Sequence, residues 1–262
     1  MGKTCEGDCI GVQSRYISPM TETCDPPADL TDRIRTHLAT DPGRVSRLEV
    51  NERTLWIKQR ETLDLRRRLQ KGDPSKGFER ERAALHHLAT IDAPVPPIVA
   101  EGADFFALPD CGQPLSQILQ QGVGTDAERI QIFRAAGEAL SGLHKRGVSH
   151  GRPNLKDICW QDGEITFIDL ERYSGSRNTP KGHMQDLIMF VFNAHAVAGK
   201  PSAEVDAAID AYRATDTAGI WAAAKAWCRR MRWVEVITKP VRWLRSSAEF
   251  DAIPMVFRTF GA

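Results

Sequence analysis

The sequence predicts an α+β protein in two lobes, a small β-rich first part and a mainly helical second part. Three observations predict it. Two strand-like runs, 45–50 and 54–58, stand near the start. A strongly capped amphipathic helix begins at Thr125. A short hairpin, 158–169, lies between long helical stretches.

The first element is a lead-in, residues 1 to about 28, which lacks periodicity and ends in Asp25-Pro26-Pro27. The strands at 45–50 and 54–58 follow, around the turn-like Asn51-Glu52-Arg53. Residues 61–77 are charged, include Arg66, Arg67 and Arg68, and read as a solvated helix and loop. Helical spacing over 78–90 puts Phe78, Leu85 and Leu88 on one face. The proline-rich run 92–97 stops that helix, because proline removes backbone donors and disfavours helix before it. Residues 105–108 form a short buried strand, Asp110-Cys111-Gly112 a turn, and Leu115, Ile118 and Leu119 open a short helix.

Thr125 and Glu128 form a capping box, in which each satisfies an orphan amide of the other. Ile130, Phe133, Ala136, Leu140 and Leu143 then recur on one face, and Gly137 shares it, which suits close packing. Lys145 and Arg146 complement the helix dipole, and Gly147 fits a left-handed stop. The loop 149–157 leads into strand 158–160, a turn at Asp162-Gly163 and strand 165–169. From about Lys181 the chain reads as helical.

Composition bounds the function. The 262 residues are 42% hydrophobic and 26% charged, ordinary for a soluble domain. A net charge of +1 lacks the basic excess of a nucleic-acid binder, so no nucleic acid is expected as partner. Cys5, Cys9, Cys24, Cys111, Cys159 and Cys228 are scattered without a recognisable secretory signal, and read as reduced thiols of a cytoplasmic protein. The spacing of the first three is a poor zinc pattern. The longest apolar run, 187–198, contains Asn193 and His195 and is too short to span a bilayer.

Three features carry chemistry. Lys58 ends an apolar strand, from which its ammonium can enter a cleft and hold phosphate oxygens. Glu81, on the following helix, can orient that lysine as an ion pair; Glu79 competes, but Glu81 lies four residues before Leu85, on the face that meets the strands. Asp157 and Asp169 flank the hairpin and can converge at one end of it. Magnesium takes one or two carboxylates plus substrate phosphates, which such a pair supplies.

These residues carry a resemblance. The loop from His150 to Ile158 resembles the catalytic loop of protein kinases, and Asp169-Leu170-Glu171 resembles their magnesium-binding triplet. The order of strand lysine, helix glutamate, hinge, long helix, loop, hairpin and acid also matches. Within that superfamily the chain most resembles the bacterial lipopolysaccharide kinases, the Kdo kinase and WaaP-like group, over roughly residues 45–198. There the segment before the glutamate helix is short and arginine-rich, and the loop begins His-Gly. The resemblance implies a kinase-like N-lobe at 29–108, a C-lobe at 109–262, and ATP and Mg2+ as cofactors. Lys58 would contact the phosphates, with Glu81 as its partner. Residues 106–111, with Phe106, Leu108, Asp110 and Cys111, would form the hinge around adenine. His150 would brace the loop, Asp157 would stand where the family has a metal-binding asparagine, and Asp169 would bind the metal. Asp186 resembles the family's anchor for the catalytic loop, with a first-turn acid stabilised by the helix dipole as the other reading.

The chain departs from the family twice. The catalytic aspartate belongs two residues after the histidine, where this chain has Arg152. General-base catalysis contributes roughly 10²- to 10⁴-fold, so its loss matters. Positioning and charge neutralisation matter more in phosphoryl transfer; Arg152 can bind phosphate or an anionic substrate, and Asp157 can replace the base. Secondly, no Gly-x-Gly-x-x-Gly precedes the lysine strand. The expected function is an ATP-dependent phosphotransferase acting on a hydroxyl of a lipid-linked lipopolysaccharide core sugar. The alternatives are a kinase-like ATP-binding scaffold without transfer, and another small-molecule or protein kinase of the same fold.

The last feature is a basic, tryptophan-rich stretch. Residues 225–245 carry seven basic side chains and one acid, a local +6 that leaves −5 for the rest. Trp227, Met231 and Val234 fall on one helical face, and Pro240 is expected to break the helix. Tryptophan beside arginine suits an anionic membrane surface, peripheral to the inner membrane, whereas core packing is the preferred reading of the tryptophans.

Overall fold

The computed structural model describes residues 27–41, 43–60, 74–244 and 247–261, and its architecture is α+β. Helix α1 (Pro27–Thr40) spaces Leu30, Ile34 and Leu38 four residues apart, so all three share one face. Ile34 is buried with Ile57, Phe105 and Ala107, and the two leucines pack against this cluster. The sequence reading missed α1 and ran the lead-in to 28, whereas the helix starts at Pro27. The rest of the lead-in, the arginines at 66–68 and the cysteines at 5, 9 and 24 lie outside the described residues.

Strands β1 (Val45–Val50) and β2 (Arg53–Gln59) pair antiparallel. Asn51 and Glu52 both have positive φ (49° and 61°), as tight hairpin loops require. With β3 (Ala100–Glu101) and β4 (Phe105–Pro109) they form a four-stranded sheet in the order β1-β2-β4-β3. Register assigns the two faces. Ile57 pairs with Ala107 on the face that α1 covers. Lys58 pairs with Phe106, and Trp56 with Leu108, on the opposite face. Helix α2 (Pro74–Ala89) packs there, with the Phe78 and Phe106 ring centroids 5.1 Å apart. It begins a turn before the expected 78, since proline's missing donor costs nothing in a first turn.

A second sheet, β5-β6-β7, comprises β5 (Gln113–Pro114), β6 (Ile158–Gln161) and β7 (Glu164–Phe167). The expected turn at 110–112 delivers the chain to β5. The Phe167 amide donates to the Pro94 carbonyl at 2.8 Å, tying β7 to the loop that ends α2. Strand β7 stops at Phe167 instead of 169; Asp169 has already turned into the left-handed region (φ 61°, ψ 56°).

The helices of the second part are α3 (Leu115–Gln121), α4 (Asp126–Lys145), α5 (Pro180–Ala198), α6 (Ala203–Thr215), α7 (Ile220–Arg230), α8 (Trp233–Leu244) and α9 (Ala248–Thr259). The capping box of α4 is present: Thr125 Oγ1 accepts from the Glu128 amide at 3.2 Å, and Glu128 Oε2 from the Thr125 amide at 2.7 Å. Phe133, Ala136, Leu140 and Leu143 of α4 are all buried. One core runs from Phe78 and Phe106 through Phe133 and Phe190 to Phe257 and Phe260.

The tail differs from expectation. Trp227 lies in α7 and Val234 in α8, so they do not share one helical face, and α8 runs through Pro240 without breaking. Met231 and Val234 pack on the core, but Trp227 is 36% and Trp233 54% exposed, which overturns the core reading for these two tryptophans. Among the described residues no helix is long and apolar enough to cross a membrane.

Gly137 lets α4 touch α6: a Cβ there would stand 2.0 Å from the Ala208 carbonyl oxygen. Alanine favours a helix over glycine by about 1 kcal/mol, but overpacking costs about 1–3 kcal/mol. Gly137→Ala is therefore expected to lower stability, read as a reduced urea midpoint; an increased midpoint would refute the close approach.

Candidate functional site

The site begins at the inner sheet face. Lys58 Nζ donates to Glu81 Oε1 at 2.5 Å, and the Glu81 side chain is only 4% exposed. Glu79 is taken elsewhere: it pairs with Arg60 and, at 2.5 Å, with Arg82. The Arg60 hydrogen bond leads the contacts that hold its carboxyl below the usual range. Glu79 and Glu81 stand two residues apart, about 200° around the helix, so the helix face decides the partner, as the apolar face of α2 implies.

The segment expected as hinge is divided. Phe106 is fully buried against Phe78, and Leu108 nearly so, whereas Asp110 is exposed and Cys111 half-buried. The Asp110 amide donates to the Thr54 carbonyl at 3.0 Å, and its carboxylate accepts from Trp56 Nε1 at 2.8 Å. Burial, then the Asp110 charge, pushes the Cys111 thiol up to about 11. Trp56 keeps 39% of its surface exposed on the Lys58 face, a feature sequence reasoning passed over.

On the other side, hydrogen bonds fix the loop from Ser149 to Asp157. His150 is buried, with Nε2 3.0 Å from the Ile168 carbonyl oxygen, so the ring spans from loop to hairpin. Burial, the leading cause, lowers its pKa and favours the neutral ring. Gly151 sits at φ 96°, and a Cβ there would meet the Arg172 carbonyl oxygen at 2.5 Å, so only glycine fits. Its amide donates to both carboxylate oxygens of Asp186, at 3.0 and 3.2 Å. Asp186 is fully buried, seven residues into α5, so the first-turn reading falls and the anchoring geometry stands. His144 lies beneath, with Nε2 3.7 Å from Asp186 and Nδ1 2.7 Å from the Tyr212 hydroxyl. Asn193 accepts from the Leu155 amide at 2.8 Å. That polar residue inside an apolar run was the available signal for its role.

The charged groups then gather. Arg152 lies 3.5 Å from Asp169, and its Nε is buried without a hydrogen-bond partner. Glu171 pairs with Arg44 at 2.8 Å, and its carbonyl accepts from Arg80 of α2 at 3.2 Å. Burial would raise the Glu171 pKa, but the Arg44 hydrogen bond and the charges of Arg44, Arg152 and Lys58 together hold it low. Lys58 and the segment after Asp169 therefore share one electrostatic neighbourhood. Asp157 is buried, accepts from Asn154 Nδ2 at 3.1 Å, and passes its carbonyl to the Ile168 amide at 2.9 Å. Burial, then the charge of Asp169, pushes its carboxyl up to about 6.

Among the described residues no group of three or more His, Cys, Asp or Glu side chains is arranged to hold a metal ion. The donor set nonetheless fits magnesium, which needs only one or two protein carboxylates when phosphates supply the rest. Asp157 stands near enough to Asp169 for that charge to help raise its pKa, so the two carboxylates are neighbours that a cation could share.

The fold and site thus define an α+β protein in which a sheet lysine pairs with a helix glutamate, while a loop and hairpin carry an arginine and two acids. No protein-family model matches the chain. An uncharacterized protein of Haemophilus influenzae is 34% identical over 147 residues, which cover 56% of this chain. The chain spans 61% of that relative's length.

The raised Asp157 pKa carries a sign. Its unfolded value is near 3.8 and its folded value about 6, so stability is fully present below the former and lost as pH rises through the latter. Two pKa units correspond to about 3 kcal/mol. Asp157→Asn is expected to gain up to that amount over wild type near neutrality and nothing near the unfolded pKa. Urea unfolding across that range checks it; a constant difference would show that Asp157 is not the titrating group.

Proposed function

We propose that this chain is an ATP-dependent phosphotransferase of protein-kinase-like, two-lobed fold, acting on the hydroxyl of a lipid-linked lipopolysaccharide-type sugar in the cytoplasm. What supports the reading is the Lys58–Glu81 pair, whose lysine charge reaches Glu171, two residues beyond Asp169, together with the neighbouring acids Asp157 and Asp169. An oriented ammonium near an acidic hairpin suits a metal-bound triphosphate, where positioning and electrostatic stabilisation supply most of the catalysis. Lys58 holds phosphate oxygens, and Asp169 with Asp157 holds Mg2+, which neutralises phosphate charge when bound. His150 and Asp186 keep the loop rigid. Arg152, with its free Nε, takes the negative charge of the acceptor or the transferred group. The exposed face of Trp56 serves as the platform for the base. The sugar acceptor rests on the resemblance of the loop and triplet alone.

One observation favours a second reading, a nucleotide-binding scaffold without transfer. Arg152 occupies the catalytic-aspartate position and points its guanidinium at Asp169, the carboxylate that the first reading assigns to the metal.

ATP with Mg2+ is expected to raise the melting temperature of the wild-type protein. Ligand at 100 times its Kd stabilises by about 2.7 kcal/mol. Asp169→Ala and Lys58→Ala should each remove most of that shift, and an equal shift in all three proteins would overturn the site. Transfer of labelled phosphate from ATP to a lipid-linked sugar, but not to protein acceptors, is expected under the first reading. Binding without transfer to any acceptor selects the second. Trp56→Ala is expected to weaken nucleotide binding by roughly 5- to 150-fold, the cost of a lost base–aromatic stack; unchanged affinity in a calorimetric titration would discard the platform.

A further inference from the structure

A surface remote in sequence from the site carries a separate inference. Helix α8 exposes Trp233 (54%), Val236 (71%) and Ile237 (61%), while Val234 packs on the core. Residues 233, 236 and 237 follow helical spacing and form one apolar stripe. Trp227, at the end of α7, is also exposed. Arg229, Arg230 and Arg232 stand between the two tryptophans, and Lys239 lies further along α8; all four are exposed. Among the described residues none of these four makes an ion pair with a carboxylate.

We infer that α8 and the end of α7 dock the protein on an anionic lipid bilayer. Charge complementarity selects this occupant. A core partner or a second copy of the chain would have to bring acids to meet a cluster of arginines, whereas the stretch itself offers Glu235 alone. An anionic bilayer supplies negative headgroups at the depth where an indole ring sits and hydrocarbon below for Val236 and Ile237. The stripe is too short and too flanked by charge to span, and suits a helix lying in the interface. The arginines then hold headgroup phosphates while the tryptophans set the depth.

The test uses the full chain and two kinds of vesicle, phosphatidylglycerol mixed with phosphatidylethanolamine, and phosphatidylcholine alone. The chain is expected to sediment with the first at low salt, not with the second, and to be released by high salt. The double variant Val236→Glu, Ile237→Glu should stay in the supernatant with an unchanged melting temperature, because both side chains already face solvent. The triple variant Arg229→Gln, Arg230→Gln, Arg232→Gln should bind on the order of 100-fold more weakly. No sedimentation of wild type would overturn the inference. So would equal binding to neutral vesicles, or a dimer in sedimentation equilibrium that the double variant dissolves without any vesicle binding. None of these readouts depends on nucleotide, so their failure is distinct from a failure of the phosphotransferase reading.

Discussion

The buried charge of Glu81 is the constraint on which the candidate site depends. A carboxylate with so little surface is costly unless a partner stands within hydrogen-bond distance, and Lys58 is that partner. The pair does more than neutralise itself. Lys58 lies on β2 and Glu81 on α2, so their contact sets the rotation of the helix on the sheet. That rotation sends Phe78 against Phe106 and Arg80 toward the Glu171 carbonyl. Losing the ammonium would leave a buried charge unmet, which costs about 3–5 kcal/mol in such pairs. Arg44 adds a second tie, from the start of the sheet to Glu171. The sheet and the hairpin are thereby tied by polar contacts as well as by the apolar core, which includes Phe106 of β4 and Phe167 of β7.

The loop opposite is fixed by a different economy. Its backbone groups bond to buried side chains from the helix below: Gly151 to Asp186, Leu155 to Asn193. Ser149 bonds to Asn178 in the segment just before that helix. A loop held in this way keeps its geometry with only a short 3-10 turn, Leu155–Asp157, of its own. It can present Arg152 and Asp157 at fixed positions.

Much of this was legible from residue pattern. Strand-like runs around a turn-like spacer marked β1 and β2, the capping box marked the start of α4, and Asp162-Gly163 marked the hairpin. Glu81 was separable from Glu79 because a helix face is a local property. Helix α1 escaped notice because its apolar positions are few and follow an uninformative lead-in; only the sheet face it covers explains them. The tryptophans of the tail were misread for the opposite reason. Sequence spacing places a residue on a face, but which face meets the core is settled by distant elements, here α5 and α9. The ties from Arg44 and Asn193 span well over thirty residues and leave no local pattern. The resemblance to lipopolysaccharide kinases rests on ordered motifs, and the partial match to an uncharacterized relative adds no activity to it.

The exchange of charge in the loop gives a physical reason to keep the catalytic reading alongside the scaffold one. Where the resembled family has an aspartate, this chain has Arg152; where that family has an asparagine, it has Asp157. The local charge is thus rearranged rather than simply lost. Burial and the charge of Asp169 raise the Asp157 pKa to about 6, and a cation bound by both acids would lower it again. Arg152 meanwhile lowers the electrostatic cost of two acids standing together, easing Asp157 as well as pairing with Asp169. Under the proposed function the acid pair holds the metal, with the arginine supplying charge balance. The raised pKa therefore belongs to the metal-free site and favours neither reading, whereas the Arg152–Asp169 contact occupies the carboxylate that the catalytic reading assigns to the metal and so weighs toward the scaffold.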